Sequence, residues 1–167
     1  MAKMKLVIVA VLVFVCGALV FGQAALIPVK AVVAQYLLDA AWQHSRATNS
    51  PRRPWPWADT WPVARLQVER LGVSQIVLAG TNSAALAFGP GHLFGSAQPG
   101  TNGNVVIAGH RDTHFSYLRE LQVGDRIDVD LGATEKAIYV VRSTRIVHET
   151  DTDIVIDKGR ARLTLIT

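Results

Sequence analysis

From Val63 onward the sequence alternates between apolar and polar side chains, and this period of two constrains the fold more than any other feature. Between Val63 and Leu71 the apolar residues Ala64, Leu66 and Val68 fall on one face. Successive side chains of a strand point to opposite faces of its sheet, so the pattern predicts a half-buried strand.

The rest of this region contains further short runs that are typical of strands. Further runs predict strands at 75–79, 105–108, 126–129, 137–148 and 162–166, with helical turns at 84–88 and 117–121. Turn-forming residues separate the runs, most densely from Pro99 to Asn104. Short strands, frequent turns and little helix predict a mainly β fold with short helices, a closed or partly closed β-barrel, over residues 63–167.

The N-terminus carries a different signal. Lys3 and Lys5 precede an apolar run that extends from Leu6 to Ile27, and a helix needs about 20 apolar residues to cross a bilayer. Lysines on this side favour a cytoplasmic N-terminus. We therefore predict that residues 1–28 form a cytoplasmic start and a transmembrane signal-anchor helix, which would place the following domain on the periplasmic or extracytoplasmic side of the inner (cell) membrane. A cleavable signal peptide is the alternative, because Gly22-Gln23-Ala24 offers small residues at a cleavage site.

Two segments connect the apolar run to the β-rich region. Residues 29–45 carry apolar side chains at helical spacing and predict an amphipathic helix, which either lies at the membrane or packs on its own domain. Residues 46–62 are rich in proline, tryptophan and arginine and predict an extended linker. Its tryptophans either sit at the membrane interface or pack on the domain.

Charge and cysteine content exclude several functions. The net charge is +4 and the basic residues are scattered rather than clustered, so no nucleic-acid partner is predicted. The single cysteine, Cys16, excludes an intrachain disulfide and a Cys-x-x-Cys metal pair. It lies inside the apolar run, away from any aqueous substrate, and is interpreted as inert.

The main candidate for chemistry is His110. It follows Gly109 directly after the apolar run 105–108. A histidine just past a buried strand is held rigidly at a rim, which suits a general acid or base. By itself this placement is more typical of a structural histidine.

A second segment makes the signal specific. Ala108-Gly109-His110, followed far along the chain by Leu163-Thr164-Leu165-Ile166-Thr167, resembles the sortase family, in which a Thr-Leu-x-Thr-Cys strand delivers the nucleophile. The resemblance extends from about Trp61 to Thr167. The proline-rich lead-in, the N-terminal anchor and the string from Gly109 to Phe115 look most like the class found in Gram-negative bacteria.

The resemblance implies a sortase-type barrel and a cysteine transpeptidase. Such an enzyme cleaves a threonyl bond in the C-terminal sorting signal of a secreted or membrane protein, forms an acyl-thioester and transfers the acyl group to an amine, or to water. His110 would be catalytic, Thr164 and Thr167 would bind substrate, and no cofactor or metal is implied. The family's cysteine and a later arginine would follow Thr167. Because the last apolar run ends with the sequence, we expect a chain that is cut short at its C-terminus and is inactive as written.

Three alternatives stay open. A non-catalytic, membrane-tethered β-barrel could bind a peptide or a partner protein. His110 and His114, four residues apart, could bind zinc. The acidic loop with Glu149, Asp151 and Asp153 could bind calcium or simply be solvated.

Overall fold

The computed structural model describes residues 2–133, 135–148 and 159–167. The chain divides into two compact units, Met1–Tyr36 and Leu37–Thr167. Helix α1 runs from Ala2 to Thr48, so the predicted anchor and the predicted amphipathic helix form one continuous element. Within the described residues, no helix combines the length and the apolar character that a membrane crossing requires. The predicted transmembrane helix is therefore not supported there.

Helix α1 extends three residues into the predicted linker, to Thr48. Asn49 then adopts a positive φ of 51°, a left-handed conformation that commonly ends a helix. Pro51 follows two residues later and cannot continue the helical hydrogen bonding. Within the predicted linker, residues 49–61 form neither helix nor strand.

Seven strands follow, separated by short helical pieces. A short helix, α2, spans Ser83–Leu86, and 3-10 helices span Glu69–Leu71 and Ser116–Glu120. The strands are β1 Pro62–Val68, β2 Val73–Ala79, β3 Gly91–His92, β4 Asn104–Ala108, β5 Arg126–Gly132, β6 Glu135–Val140 and β7 Arg162–Ile166.

The strands form one sheet in the order β6-β5-β1-β2-β3-β4-β7. Pairing is antiparallel except between β2 and β3 and between β4 and β7, which are parallel. Among the described residues β6 and β7 lie at the two ends of this order and do not pair with each other. The sheet is thus nearly closed and barrel-like, which agrees with the partly closed form of the predicted barrel and not with the fully closed form. The predicted long strand 137–148 is also shorter, because β6 ends at Val140.

The main core lies inside the curved sheet. Side chains from both ends of the strand order pack against it, including Tyr139 of β6 and Leu165 of β7, which explains the barrel-like curvature. The alternation that predicted β1 is confirmed, because Ala64, Leu66 and Val68 are fully buried there. The other buried members are Val77, Val105, Ile107, Phe115, Tyr117, Ile127 and Val129.

A smaller core forms where the end of α1 meets the β-domain within the second unit. Leu38 packs there with Leu78 and Ala85. Trp55 joins it with an edge-to-face contact to Phe88, the ring centroids being 5.0 Å apart. The part of the amphipathic helix in this unit therefore packs on its own domain, and at least one linker tryptophan does the same.

The connection before β5 carries an ion pair that links it to the first hairpin. Nε and Nη2 of Arg70 each donate to one carboxylate oxygen of Asp125 at 2.6 Å. The Gln122 backbone N–H also donates to this carboxylate, at 2.7 Å. The hydrogen bonds from Arg70, and then the one from Gln122, lower the pKa of Asp125 to about 2.

We expect this ion pair to make the free energy of unfolding depend on pH in the acidic range. The folded pKa of Asp125 lies below the value of about 3.9 for an unfolded aspartate, so its stabilisation is fully present above that value. It is then lost as pH falls from about 4 through about 2. Asp125→Asn should flatten the dependence of the unfolding free energy on pH in this window, measured by urea denaturation. The matched control is Asp59→Asn, at an exposed aspartate, which should keep the wild-type slope.

Candidate active site

Strand β4 brings His110 to the rim of the sheet. Residues 104–107 of this strand are buried, and Gly109 continues it as a buried position. A Cβ at Gly109 would lie 2.9 Å from the ring of Phe115. Only glycine lets the backbone pass this close to the aromatic ring. Packing against Phe115 therefore explains why a glycine precedes His110.

A tight turn fixes the backbone at His110. The carbonyl oxygen of His110 accepts hydrogen bonds from the N–H groups of Thr113, at 3.3 Å, and Phe115, at 3.0 Å. Phe115 is fully buried in the main core, while the His110 side chain is exposed. The imidazole is therefore accessible on a backbone that the core holds in place, as expected for an acid–base group.

Strand β7 runs parallel to β4, in register from Asn104 opposite Arg162 to Ala108 opposite Ile166. The Gly109 N–H continues this pairing by donating to the carbonyl oxygen of Ile166 at 3.0 Å. The C-terminal end of β7 thus lies beside the start of the turn formed by residues 110–115, which we call the His110 turn.

His110 and Thr167 share one open groove with a volume of about 510 Å³. Two of the three predicted site residues are therefore brought together. The remaining lining residues are Gly109, Arg111, Asp112 and Thr113. Arg111 and Asp112 are highly exposed and form a loose ion pair at 3.3 Å, so both charges face the groove's solvent.

Thr164, the third predicted site residue, has a structural contact and is not among the lining residues. Its hydroxyl donates to Oδ1 of Asn104 at 2.8 Å, and Asn104 is 2% exposed. This bond ties the middle of β7 to the beginning of β4. A role for Thr164 in substrate binding stays a prediction.

His114 is half-buried in the same turn as His110. Burial lowers the pKa of His114 below its usual value, a hydrogen bond to the Ala87 carbonyl oxygen partly offsets this, and the nearby His110 lowers it further. At neutral pH the neutral ring is favoured. Among the described residues no group of three or more His, Cys, Asp or Glu side chains is placed to hold a metal ion.

Neither His92 nor Cys16 lines the groove. His92 is buried, with Nε2 2.8 Å from the carbonyl oxygen of Ala97, a structural contact. Cys16 is exposed on α1 in the first unit. The possible calcium ligands of the acidic loop, Glu149, Asp151 and Asp153, lie outside the described residues.

Sequence reasoning missed Gln75 of β2. Its Nε2 donates to the carbonyl oxygen of His114 at 2.6 Å. The available signal was an amide between Val73 and Val77, on a face that is otherwise apolar.

The model of the sortase domain family matches residues 66–167, more than half of the chain. The chain belongs to the sortase family. The matched region includes β4, the turn that carries His110, and β7. The family predicted from the two short motifs is thus confirmed.

Individual relatives agree with this assignment. Sortase D from Bacillus subtilis is 34% identical over 90 residues, which cover 54% of this chain and 45% of the relative. The match thus spans less than half of that curated relative's length. Sortase E from Streptomyces avermitilis is 34% identical, with a TM-score of 0.55, over 62% of this chain and 77% of the other.

The fold similarity extends further. A sortase D5 transpeptidase from Clostridium perfringens is 22% identical, with a TM-score of 0.62, over 80% of this chain and 88% of the other. At this identity the likeness concerns the fold alone. It supports the mainly β, barrel-like architecture with few short helices.

Proposed function

We propose that this sortase cleaves a C-terminal sorting signal of a secreted or membrane protein and transfers the acyl fragment to an amine. His110 acts as its acid–base group, and a cysteine directly after Thr167 is the nucleophile. One observation carries the proposal: β4 and β7 are parallel and in register up to Ala108 and Ile166, and the Gly109 N–H extends this pairing by donating to the Ile166 carbonyl oxygen.

Extending that register supports the location of the nucleophile. Neighbouring strands lie about 4.8 Å apart, and residues directly opposite each other face the same side of a sheet. Ala108 pairs with Ile166, so the position after Thr167 would lie opposite His110. A thiol there would share the groove that His110 and Thr167 already line.

The chemistry follows from this juxtaposition. Beside an imidazole, a thiol is activated as a thiolate, which attacks the threonyl carbonyl. His110 gives its proton to the departing amine, and a thioester remains on the sulfur. The incoming amine then loses a proton to His110 as the new amide forms, which restores the thiol.

The groove also suits an extended peptide. It is open, and the exposed Thr167 directly follows β7, which is the last strand in the sheet order of the described residues. Extended peptides bind such sites through backbone hydrogen bonds and pockets for alternate side chains. Thr167 supplies a polar contact next to the reacting bond.

We also propose membrane attachment and the Gram-negative class, both from the sequence. The support is Lys3 and Lys5 before the apolar run 6–27, and the string from Gly109 to Phe115. The domain would then work on the periplasmic side of the inner membrane. Cell fractionation tests attachment: the protein should stay in the carbonate-washed membrane pellet, and recovery in the wash would contradict it.

Product analysis tests the activity. The complete gene product is incubated with peptides that each carry one threonyl bond near the C-terminus, with hydroxylamine as the amine. A thioester route gives the N-terminal fragment as a hydroxamate, detected by mass spectrometry. Release of the free acid alone would indicate a hydrolase. No cleavage of any peptide would favour a non-catalytic, peptide-binding sortase domain.

A further inference from the structure

The side chain of Gln75 lies where an apolar residue is expected. Alternation along β2 puts it on the same face as Val73 and Val77, which contribute to the main core. Across the pair it stands opposite Leu66, which is fully buried. Gln75 itself is half-buried, and the part of its amide that is shielded from solvent needs a partner within the protein.

Within the described structure, only one of the two polar groups of the Gln75 amide has a hydrogen-bond partner. Nε2 donates to the carbonyl oxygen of His114 at 2.6 Å, whereas Oε1 is buried without a hydrogen-bond partner in the described structure. An unpaired buried acceptor is destabilising. A leucine or methionine would suit the core better, so the residue's contribution lies in its single bond.

That bond reaches the turn that carries His110. The turn is closed on the other side by the bonds from Thr113 and Phe115 to the His110 carbonyl oxygen. Gln75 thus links the central strand β2 to the segment between His110 and Phe115, through the backbone of the half-buried His114.

We propose that Gln75 is a positioning residue for the reaction: its amide holds the His110 turn against the sheet, so that the imidazole faces the end of β7. This inference rests on the proposed role of His110. Small displacements of an acid–base group lower rates strongly, by up to about 100-fold for about 1 Å. The unpaired Oε1 is retained because no apolar side chain can donate to the His114 carbonyl.

Gln75→Met separates positioning from stability. Methionine has nearly the same length, removes the donor to His114 and also removes the unpaired oxygen. In the complete gene product we expect kcat for hydroxamate formation to fall by about 10-fold. KM should stay unchanged, and the unfolding temperature should stay equal to or above that of wild type. The matched control is Gln67→Met on β1, a half-buried glutamine that faces Ser74 and Asp128 and should leave kcat unchanged.

A second measurement does not depend on activity. In ¹H–¹³C spectra the His110 ring signals should shift or broaden in Gln75→Met and match wild type in Gln67→Met. Wild-type kcat together with unchanged ring signals would overturn the proposal, as would a loss of kcat that only follows a lower unfolding temperature. If the wild-type protein forms no hydroxamate, the proposed function fails, and the ring signals still decide whether Gln75 positions His110.

Discussion

Replacing His110 by glutamine should lower the rate of hydroxamate formation by about 10³-fold in the complete gene product. General acid–base catalysis is worth about 10²–10⁴-fold, and His110 is the only histidine that lines the groove in the described structure. Its side chain is exposed and its backbone bonds do not involve the ring. The unfolding temperature should therefore stay at the wild-type value.

The matched control for this variant is His44→Gln. His44 is an exposed histidine on α1 whose ring contacts Arg52, and it should retain the full rate. Equal rates for His110→Gln and wild type would remove His110 from the mechanism. An equal loss in both variants would show that the assay responds to something other than the groove.

The largest effect on stability is expected for Gly91→Ala in β3. A Cβ at Gly91 would lie 2.1 Å from the carbonyl oxygen of Gly80, far inside van der Waals contact. That carbonyl cannot move away easily, because the Gly80 N–H donates to the His92 carbonyl oxygen at 2.9 Å. We expect the free energy of unfolding in urea to fall by about 3 kcal/mol.

Gly72→Ala distinguishes this clash from a general effect of losing glycine. No atom lies within 4 Å of a Cβ at Gly72, whose φ is 62°, so only the left-handed backbone is penalised, by about 1 kcal/mol. If the Gly91→Ala protein were as stable as the Gly72→Ala protein, the Gly80 carbonyl oxygen would have to lie much further than 2.1 Å from the added Cβ.

Local pattern was sufficient for most strands. The alternation from Ala64 to Val68 gave β1, and the apolar runs 105–108 and 162–166 gave β4 and β7 nearly to their observed ends. In each of these strands, side-chain burial and backbone preference both favour the extended conformation, so the strand can be predicted from its local pattern. Strand β3 was missed because it has only two residues, Gly91 and His92, and no periodicity.

Long-range pairing was beyond the reach of the sequence pattern. The local sequences of 105–108 and 162–166 do not predict that the two strands pair in parallel. This arrangement depends on the whole strand order, and it brings Thr167 into the groove of His110 while Thr164 bonds to Asn104. Only the resemblance to a known family implied that His110 and a residue after Thr167 act in one site. Gln75 went unnoticed because its partner is a backbone carbonyl in a distant turn.

The most direct test of the account is to locate the covalent intermediate. The complete gene product is incubated, in the absence of any added amine, with an intact peptide that it cleaves, so that the threonyl bond breaks, the amine fragment leaves and the acyl group stays on the enzyme. The sample is then quenched in acid and digested, and the modified residue is identified by tandem mass spectrometry. We expect a thioester on a cysteine directly after Thr167, opposite His110. An acyl group on any other residue, or a residue other than cysteine at that position, would contradict the account.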